Sequence, residues 1–593
     1  VEILAAAFAW LDPLVAWAAW PVVIWLAASG LDDLLILGLF LAGVGKSLNP
    51  QPGPVRPRQR PIAIFVACWR EHAVIARMIE HNSAAIRYQN YTFFVGAYPN
   101  DADTVGEIRR VAETNPRVRI ALCPRTGPTS KSDCLNSIYR VMLEHERQTG
   151  ERFELIVIHD AEDLIHPESL SRFHQLAGRY AMIQTPVLAL PTPMREWTHG
   201  IYCDEFARTH TVDIAVRCRL GGFVPSAGVG TAFRRDVIDQ MANGASGLLF
   251  EPASLTEDYE SGLRVYRLGL PQKFEPVDRG LPGMLATREY FPRSLRAAIR
   301  QRTRWITGIS LQAWKRHGWG RRGETYWFWR DRKALIGCPA NLAADIVCAY
   351  GLLSWAVSSW CGTVWLLGEL LPATLVAGNL SAGLILLGSR FICTSRVYGL
   401  PFALGIPVRL VLGDLVNTIA TGRAVWQFWR ASATRRSLAW SKTDHAYPEV
   451  STLSLHRPAL EEILVDERLM TADQLRLARA TCPPHRTMAD HLIALDLVPA
   501  EAILAAASRQ SGLAVRYYRL EEVSRAVARA LPVSLSVGRR LLPVAIREGT
   551  IELACARVPD DTVRKSVERV TRLRPIFTLV GGKHWGELAS RLL

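Results

Sequence analysis

Phe153-Glu-Leu-Ile-Val-Ile-His-Asp-Ala-Glu-Asp163 is a short apolar run that stops at His159 and a group of carboxylates, Asp160, Glu162 and Asp163. A run rich in Ile, Leu and Val with no polar alternation reads as a strand buried on both faces. Three runs of the same kind precede it, Ile62 to Cys68, Tyr91 to Ala97 and Val118 to Cys123, with helical patterns over Glu71 to Ile86 and Thr104 to Glu113. Strands separated by helices imply a mainly parallel α/β sheet, in which ligands gather beyond the carboxyl ends of the strands. Asp160 falls at such an end.

Strand-end carboxylates suit a divalent cation that neutralises a departing diphosphate, which makes Asp160, Glu162 and Asp163 candidate metal-site residues. An acidic loop or helix N-terminus is the plainer reading of the same residues. Downstream stands Thr256-Glu257-Asp258. An acceptor hydroxyl that attacks an anomeric carbon must lose a proton, so Asp258 is the candidate base and Glu257 the candidate to orient it. Taken alone, this pattern fits a helix cap better. In Gln301-Arg302-Thr303-Arg304-Trp305, a helix puts Gln301, Arg304 and Trp305 on one face. Arg304 can make paired bonds to diphosphate oxygens, while Trp305 can floor an acceptor channel with Gln301 beside it. Arg293, Arg296 and Arg300 also suit a basic interfacial helix, and the two readings are compatible. Together the three pieces point to sugar transfer from a nucleotide donor.

The 593 residues leave room for several domains. Apolar residues concentrate in 3–44 and 335–421, and much of the basic excess behind the net charge of +15 flanks those blocks, as at Lys46, Arg58, Arg60, Arg390, Arg396, Arg423 and Arg430. That placement favours the cytoplasmic face of a membrane over nucleic acid. Eleven cysteines show no zinc spacing and read as thiols of a reducing cytosol. The apolar N-terminus lacks a cleavage site and reads as an anchor. One span is expected near Leu14 to Ser29, interrupted at Gly30-Leu31-Asp32-Asp33, with an interfacial extension from Leu34 to Val44. Further spans are expected over about Asn341 to Leu367 and Leu371 to Phe391, while Leu400 to Thr421, broken by Arg409 and Asp414, should lie along the cytoplasmic surface. The expected domains are an anchor (1–48), a proline-rich linker (49–60), an α/β domain with interfacial helices (61–333), membrane and interfacial helices (334–425), a second linker (426–456) and a C-terminal domain (457–593). In the last, Leu460 to Ala480 and Met488 to Gly512 look like a duplication, followed by strands near Leu542 to Ile546 and Ile551 to Ala556.

Several longer stretches carry a resemblance: Ser29-Gly-Leu-Asp-Asp33, Tyr98-Pro-Asn-Asp101, Gly127-Pro-Thr-Ser-Lys-Ser-Asp-Cys-Leu-Asn136, His159 to Asp163, Val224-Pro-Ser-Ala-Gly-Val-Gly-Thr231, Arg288-Glu-Tyr-Phe-Pro292, Trp329-Arg-Asp-Arg-Lys333 and Trp440-Ser-Lys-Thr443. With them the chain resembles inverting family 2 glycosyltransferases of the GT-A fold, in the membrane-integrated branch that includes cellulose and hyaluronan synthases. More closely it resembles the NfrB, or bacteriophage adsorption protein B, family. The tail is similar to the cyclic-di-GMP-binding (MshEN) domain at the N-terminus of type II secretion ATPases.

The resemblance implies an α/β GT-A domain, an α-helical transmembrane region and a small α/β regulatory domain. It implies a processive inner-membrane synthase, multi-pass, with catalytic and C-terminal domains in the cytoplasm. Its donor would be a UDP-sugar, such as an N-acetylhexosamine, and its acceptor a growing polysaccharide. Mg2+ or Mn2+, membrane lipid, cyclic-di-GMP as activator and an NfrA-like outer-membrane export partner would complete the set, with no nucleic acid. Glu71 would contact the nucleotide, Asp101 the uridine, Lys131, Asn136 and Asp160 the donor, and Gly228 and Gly230 would let backbone approach the sugar. Glu162 replaces an aspartate at the second position of the family's D-x-D, which leaves open whether it or Asp163 touches the metal. The tail lacks the usual turn glycines, with Arg468 and Asp496 in the turns, and Arg457 and Arg486 are its candidate dinucleotide contacts. The rival reading is an inactive receptor or scaffold of an export or phage-adsorption complex.

Overall fold

The computed structural model describes residues 2–44, 58–243, 248–277, 284–434, 447–448, 460–466, 469–483, 486–511, 513–547 and 549–593. Most of the two expected linkers, and Arg457 and Arg468, lie outside them. The chain divides into two compact units, one of Val1–Met78 with Tyr88–Ala446, the other of Ile79–Arg87 with Tyr447–Leu593.

The first unit is built on a seven-stranded sheet. Strands β1 (Ile62–Ala67), β2 (Tyr91–Ala97), β3 (Val118–Leu122) and β4 (Leu155–His159) are parallel, as expected from their apolar runs. The chain continues through β5 (Met182–Gln184), β6 (Val187–Ala189), β7 (Thr231–Arg234), β8 (Gln272–Phe274) and β9 (Thr287–Glu289). The order across the sheet is β3-β2-β1-β4-β7-β5-β8, with β7 antiparallel to both its neighbours. Register pairs Val66 with His159 and Ala67 with Gly96, so the ends of β1, β2 and β4 finish level at one edge. β6 and β9 form a separate parallel pair, and an antiparallel bridge from Arg288 to Leu164 brings β9 against the acidic loop after β4. Phe65, Phe94, Phe153 and Phe233 fill the core on the sheet.

Three helices are long and apolar enough to cross a membrane: Ala6–Leu41, Ala334–Cys361 and Ala373–Tyr398. The N-terminal one differs from expectation. Helix Glu2–Leu41 runs through Gly30 without the expected interruption. The reason is electrostatic: Asp32 and Asp33 are matched by Arg330 and Lys333, with Lys333 Nζ 2.9 Å from Asp32 and 2.7 Å from Asp33, and by the Tyr326 hydroxyl at 2.7 Å. A carboxylate pair supplied with cations no longer forces a break. Nearer its start, buried Asp12 accepts hydrogen bonds from the hydroxyls of Tyr350 and Ser354 at 2.8 and 2.9 Å and from the Leu367 N–H at 3.0 Å. Helix Ile406–Thr434, which runs past residue 425, packs against both the Trp197–Arg208 helix and the start of the Ala334–Cys361 span. That position accounts for its charged residues: Arg409 is fully buried, bonded to Asp204 through Nε at 2.7 Å and Nη2 at 3.0 Å.

In the second unit the duplicated pattern forms helices Leu460–Asp466 and Ala472–Thr481, then Met488–Ala494 and Ala500–Ser511. Asp496 holds the turn of the second pair at φ +52°, a left-handed conformation that Asp tolerates better than most residues. A small sheet follows with β10 (Leu541–Arg547) antiparallel and β12 (Arg574–Leu579) parallel to β11 (Thr550–Cys555). The sequence reading did not include β12, which carries Pro575 at a sheet edge, where proline is tolerated.

Candidate active site

The level strand ends open onto a cleft of about 1000 Å3, counting the part open to solvent. Nine residues singled out from the sequence line it: Glu71, Lys131, Asp160, Glu162, Glu257, Asp258, Gln301, Arg304 and Trp305. Residues from five separated stretches of chain therefore share one space.

Asp160 directly follows β4, and its carboxylate lies 2.5 Å from Lys131 Nζ. Lys131 is the first residue of helix Lys131–Thr149, capped by the Ser130 hydroxyl. Burial alone would lower the Lys131 ammonium; the charges of Asp160, Glu257 and Asp258 outweigh it and raise it above the ordinary lysine value. Glu257 and Asp258 open helix Glu257–Arg267. Thr256 sits at the cap position, yet its hydroxyl makes no cap bond, so helix capping does not explain the motif. Burial, then the neighbouring charge of Asp258, pushes Glu257 up to about 7 against the pull of Lys131. Burial likewise raises Asp258. Gly228, at φ +76°, packs on this carboxylate: a Cβ there would lie 2.7 Å from Asp258 Oδ2. Gly228 thus makes room for Asp258, and Gly230 for Thr185 and Thr287, where close approach to a sugar was expected.

Gln301, Arg304 and Trp305 share one face of helix Leu295–Trp305, as their spacing requires. Gln301 Oε1 and Arg304 Nε are buried without a hydrogen-bond partner in the chain, so both hold bonding capacity directed at whatever fills the cleft. Trp305 rests edge-on against Tyr202 and Phe291, at 6.1 and 6.4 Å between ring centres.

Three expectations are corrected. Asp163 is fully buried outside the cleft lining; its Oδ2 accepts from His159 Nδ1 at 2.7 Å and from the Asp160 N–H at 3.0 Å. It shapes the acidic loop, and Glu162 is the member of that pair that lines the cleft. Asp101 also lies outside the lining, its carboxylate accepting the Arg70 N–H at 2.5 Å. Asn136 clasps the backbone of Phe250 in both directions, at 2.8 and 2.9 Å, and does not line the cleft. Arg486, exposed ahead of helix Met488–Ala494, belongs to the second unit and makes no side-chain bond among those described.

The sequence reading missed Glu289. The Arg288 bridge to Leu164 swings it into the cleft beside the acidic loop. Burial, then the charges of Asp163, Glu162 and Asp160, drives its carboxyl well above the ordinary glutamate range. A three-residue strand has too short a period to read, so only its pairing reveals it. Tyr98 and Trp69, edge-to-face at 5.3 Å, form an aromatic side of the cleft and were missed too.

Six carboxylates therefore line the cleft against two cations, Lys131 and Arg304. An anionic diphosphate would be repelled from such a space unless a cation entered with it. Asp160, Glu162 and Glu289 are hard oxygen donors of the kind Mg2+ and Mn2+ prefer. Among the described residues no three side chains are gathered into a ready-made cage. This fits an ion that takes one or two carboxylates and completes its shell from phosphate and water.

Residues 57–308 match the family described as glycosyltransferase like family 2. Over 522 residues the chain is 33% identical to bacteriophage adsorption protein B of Escherichia coli K12, covering 83% of this chain and 69% of that protein. The chain belongs to the bacteriophage adsorption protein B family. Bacteriophage N4 adsorption protein B of Escherichia coli O157:H7 matches to the same extent. Among solved structures, a mannosyltransferase from Pyrobaculum calidifontis in complex with GDP-Man and Mn2+ is similar at 17% identity and a TM-score of 0.43, over 69% of this chain and 99% of that one. MshE with cdg is similar at 21% identity and a TM-score of 0.21, over 23% of this chain and all of that one. The chain is thus a membrane protein with a family 2 glycosyltransferase domain of the GT-A type.

Proposed function

We propose that this family member is a processive, inverting synthase of the bacterial inner membrane. It moves sugars, N-acetylhexosamines being the expected class, from a UDP-linked donor onto a growing polysaccharide that its membrane helices pass outward. The observation that carries the reading is the meeting of Asp160, Lys131, Asp258, Gln301, Arg304 and Trp305 in one cleft beside the membrane helices.

In this mechanism Asp258 takes the proton of the acceptor hydroxyl as its oxygen bonds to the anomeric carbon. The bond from that carbon to the diphosphate oxygen breaks on the opposite side, so configuration inverts and UDP departs. Glu257, next to Asp258, orients the base, and its own carboxyl is raised by the Asp258 charge. Lys131 and Arg304 hold diphosphate oxygens, preorganised by burial among carboxylates. Mg2+ or Mn2+, held by Asp160 and Glu162 with Glu289 close by, would supply charge neutralisation at the diphosphate. Gln301 and Trp305 seat the acceptor sugar. Glu71, Trp69 and Tyr98 enclose the nucleotide end.

Basic residues flanking the apolar blocks support a cytoplasmic active site with three spans. The repeated helix pairs of the second unit support a regulatory domain that binds cyclic-di-GMP through exposed Arg486 and its counterpart Arg457. An outer-membrane partner would receive the polymer.

The test is UDP release and product analysis in membranes across a panel of UDP-sugars, with Mg2+ or Mn2+, with and without cyclic-di-GMP. Release with one sugar, yielding polymer and rising with the dinucleotide, is the expected result. No release with any donor from folded protein would sink the synthase reading in favour of a scaffold.

A further inference from the structure

The helix that carries Gln301, Arg304 and Trp305 has a second face. Arg302, one residue round the helix, is buried at 6% exposure and turned away from the cleft. Its guanidinium makes paired bonds to Glu205, Nη1 to Oε1 at 3.2 Å and Nη2 to Oε2 at 2.8 Å, and donates from Nη1 to Asn417 Oδ1 at 2.6 Å. Asn417 Nδ2 donates to Glu205 Oε1 at 3.3 Å, which closes a ring of three side chains from three helices. The neighbouring acid, Asp204, holds Arg409 of the same Ile406–Thr434 helix, and Thr418 of that helix donates to the Cys338 carbonyl in the Ala334–Cys361 span at 2.9 Å.

This ring reaches the cleft by packing. The Arg302 guanidinium lies 4.3 Å from the centre of the Tyr202 ring, and Tyr202 stacks on Phe291 at 4.8 Å and meets Trp305 edge-on. A shift of Arg302 therefore moves the aromatic wall on which Trp305 rests. At the donor end Asp160 follows the end of β4 and pairs with Lys131 at the start of helix Lys131–Thr149. A buried ion pair contributes little net stability beside apolar packing of the same volume, whereas it enforces one geometry.

We propose that Asn417, through Arg302, is a positioning residue for the acceptor: the Ile406–Thr434 helix fixes the placement of the Trp305 wall and of Gln301 beside it, so that the growing chain stays seated between additions. This rests on the synthase reading. It assigns to an interfacial helix the retention of polymer, separately from donor binding.

The experiment compares full-length wild type with Asn417→Leu, close in volume but unable to bond, in lipid nanodiscs. Measured together are UDP affinity by titration calorimetry with Mg2+, sugar incorporated per UDP released, and product length. The expected result is UDP affinity within about twofold of wild type, with product shortened about tenfold and less sugar incorporated per UDP released, because a small misplacement penalises transfer steeply. Glu205→Gln, which keeps the shape of the ring, should show the same pattern more weakly, and decides the matter if Asn417→Leu does not fold. Wild-type length and coupling in a folded variant would overturn the proposal. So would a parallel loss of UDP affinity and transfer, since Asn417 would then serve only the fold. A wild type that transfers nothing would overturn the synthase reading and this proposal with it.

Discussion

The two ends of the cleft are built by different means. At the proposed donor end, backbone register does most of the placing: β1, β2 and β4 finish level, and Asp160 and Cys68 follow directly from their ends. At the proposed acceptor end, side-chain bonds across 97 and 115 residues of sequence hold the helix of Gln301 and Trp305. A sheet edge resists single substitutions because its hydrogen bonds are backbone bonds. A wall held by side chains can be loosened by one. Substitutions at the donor end should therefore cost chemistry or affinity, and those behind the acceptor wall should cost coupling.

The largest effect is expected where the two ends meet. Asp258→Asn should lower kcat for UDP release by about 10³-fold, the scale of losing a general base, with UDP affinity retained. Full turnover in this variant, measured by coupled UDP detection, would remove Asp258 from the mechanism. Next comes Glu289→Gln at the donor end. If this carboxylate serves the cation, the Mn2+ concentration for half-saturation, followed by Mn2+ electron paramagnetic resonance in the presence of UDP, should rise by about tenfold. An unchanged Mn2+ affinity would confine Glu289 to shaping the loop.

The pH profile sharpens the comparison further. Burial, then the Asp258 charge, raises Glu257 to about 7. A base works only deprotonated, so kcat/KM should climb with pH through about 7 and level off, the apparent value belonging to the Glu257–Asp258 pair. Lys131 pulls both carboxylates down, so Lys131→Met should move that limb to higher pH. Stability runs the other way. A carboxyl whose folded value is raised contributes fully below its unfolded value and loses that contribution as pH climbs past the folded one. Glu257→Gln should accordingly raise Tm at about pH 8 and leave it unchanged at about pH 4.

The same contrast explains what could be read from the chain. The donor end was legible because a buried parallel strand has an unmistakable apolar run, and its ligand-facing residues come just after it, as Asp160 does after His159. Gln301, Arg304 and Trp305 were legible because helical spacing alone puts them on one face. What held that helix was not: Glu205 and Asn417 are ordinary polar residues on helices, and only tertiary packing shows that they converge on Arg302. Glu289 stayed hidden for a related reason, since its placement depends on the bridge between Arg288 and Leu164. The expected break at Gly30 failed because the compensating cations, Arg330 and Lys333, lie about 300 residues away in sequence. Asp163 and Asp101 were over-read, each carboxylate being taken up by a backbone N–H nearby.

Asp101 gives the smallest effect and a fine test of how the donor end works. Had its carboxylate met the uracil, replacing it would change which nucleotide binds. Instead it accepts the Arg70 N–H, and Arg70 is held at φ +56°, a left-handed turn that a non-glycine residue adopts only when something secures it. That turn carries Glu71, whose own N–H is taken by the Thr104 hydroxyl at 2.9 Å. Asparagine can still accept the Arg70 N–H through its amide oxygen, but without the charge that strengthens the bond. Asp101→Asn should thus raise KM for the UDP-sugar by about threefold to tenfold, the cost of weakening one charged hydrogen bond, with kcat near wild type. Competition by UDP, CDP and GDP should weaken in equal proportion, because a slack turn loosens every base alike. A selective loss of UDP would mean that Asp101 reads the base directly and that the donor end, like the acceptor end, depends on individual side chains.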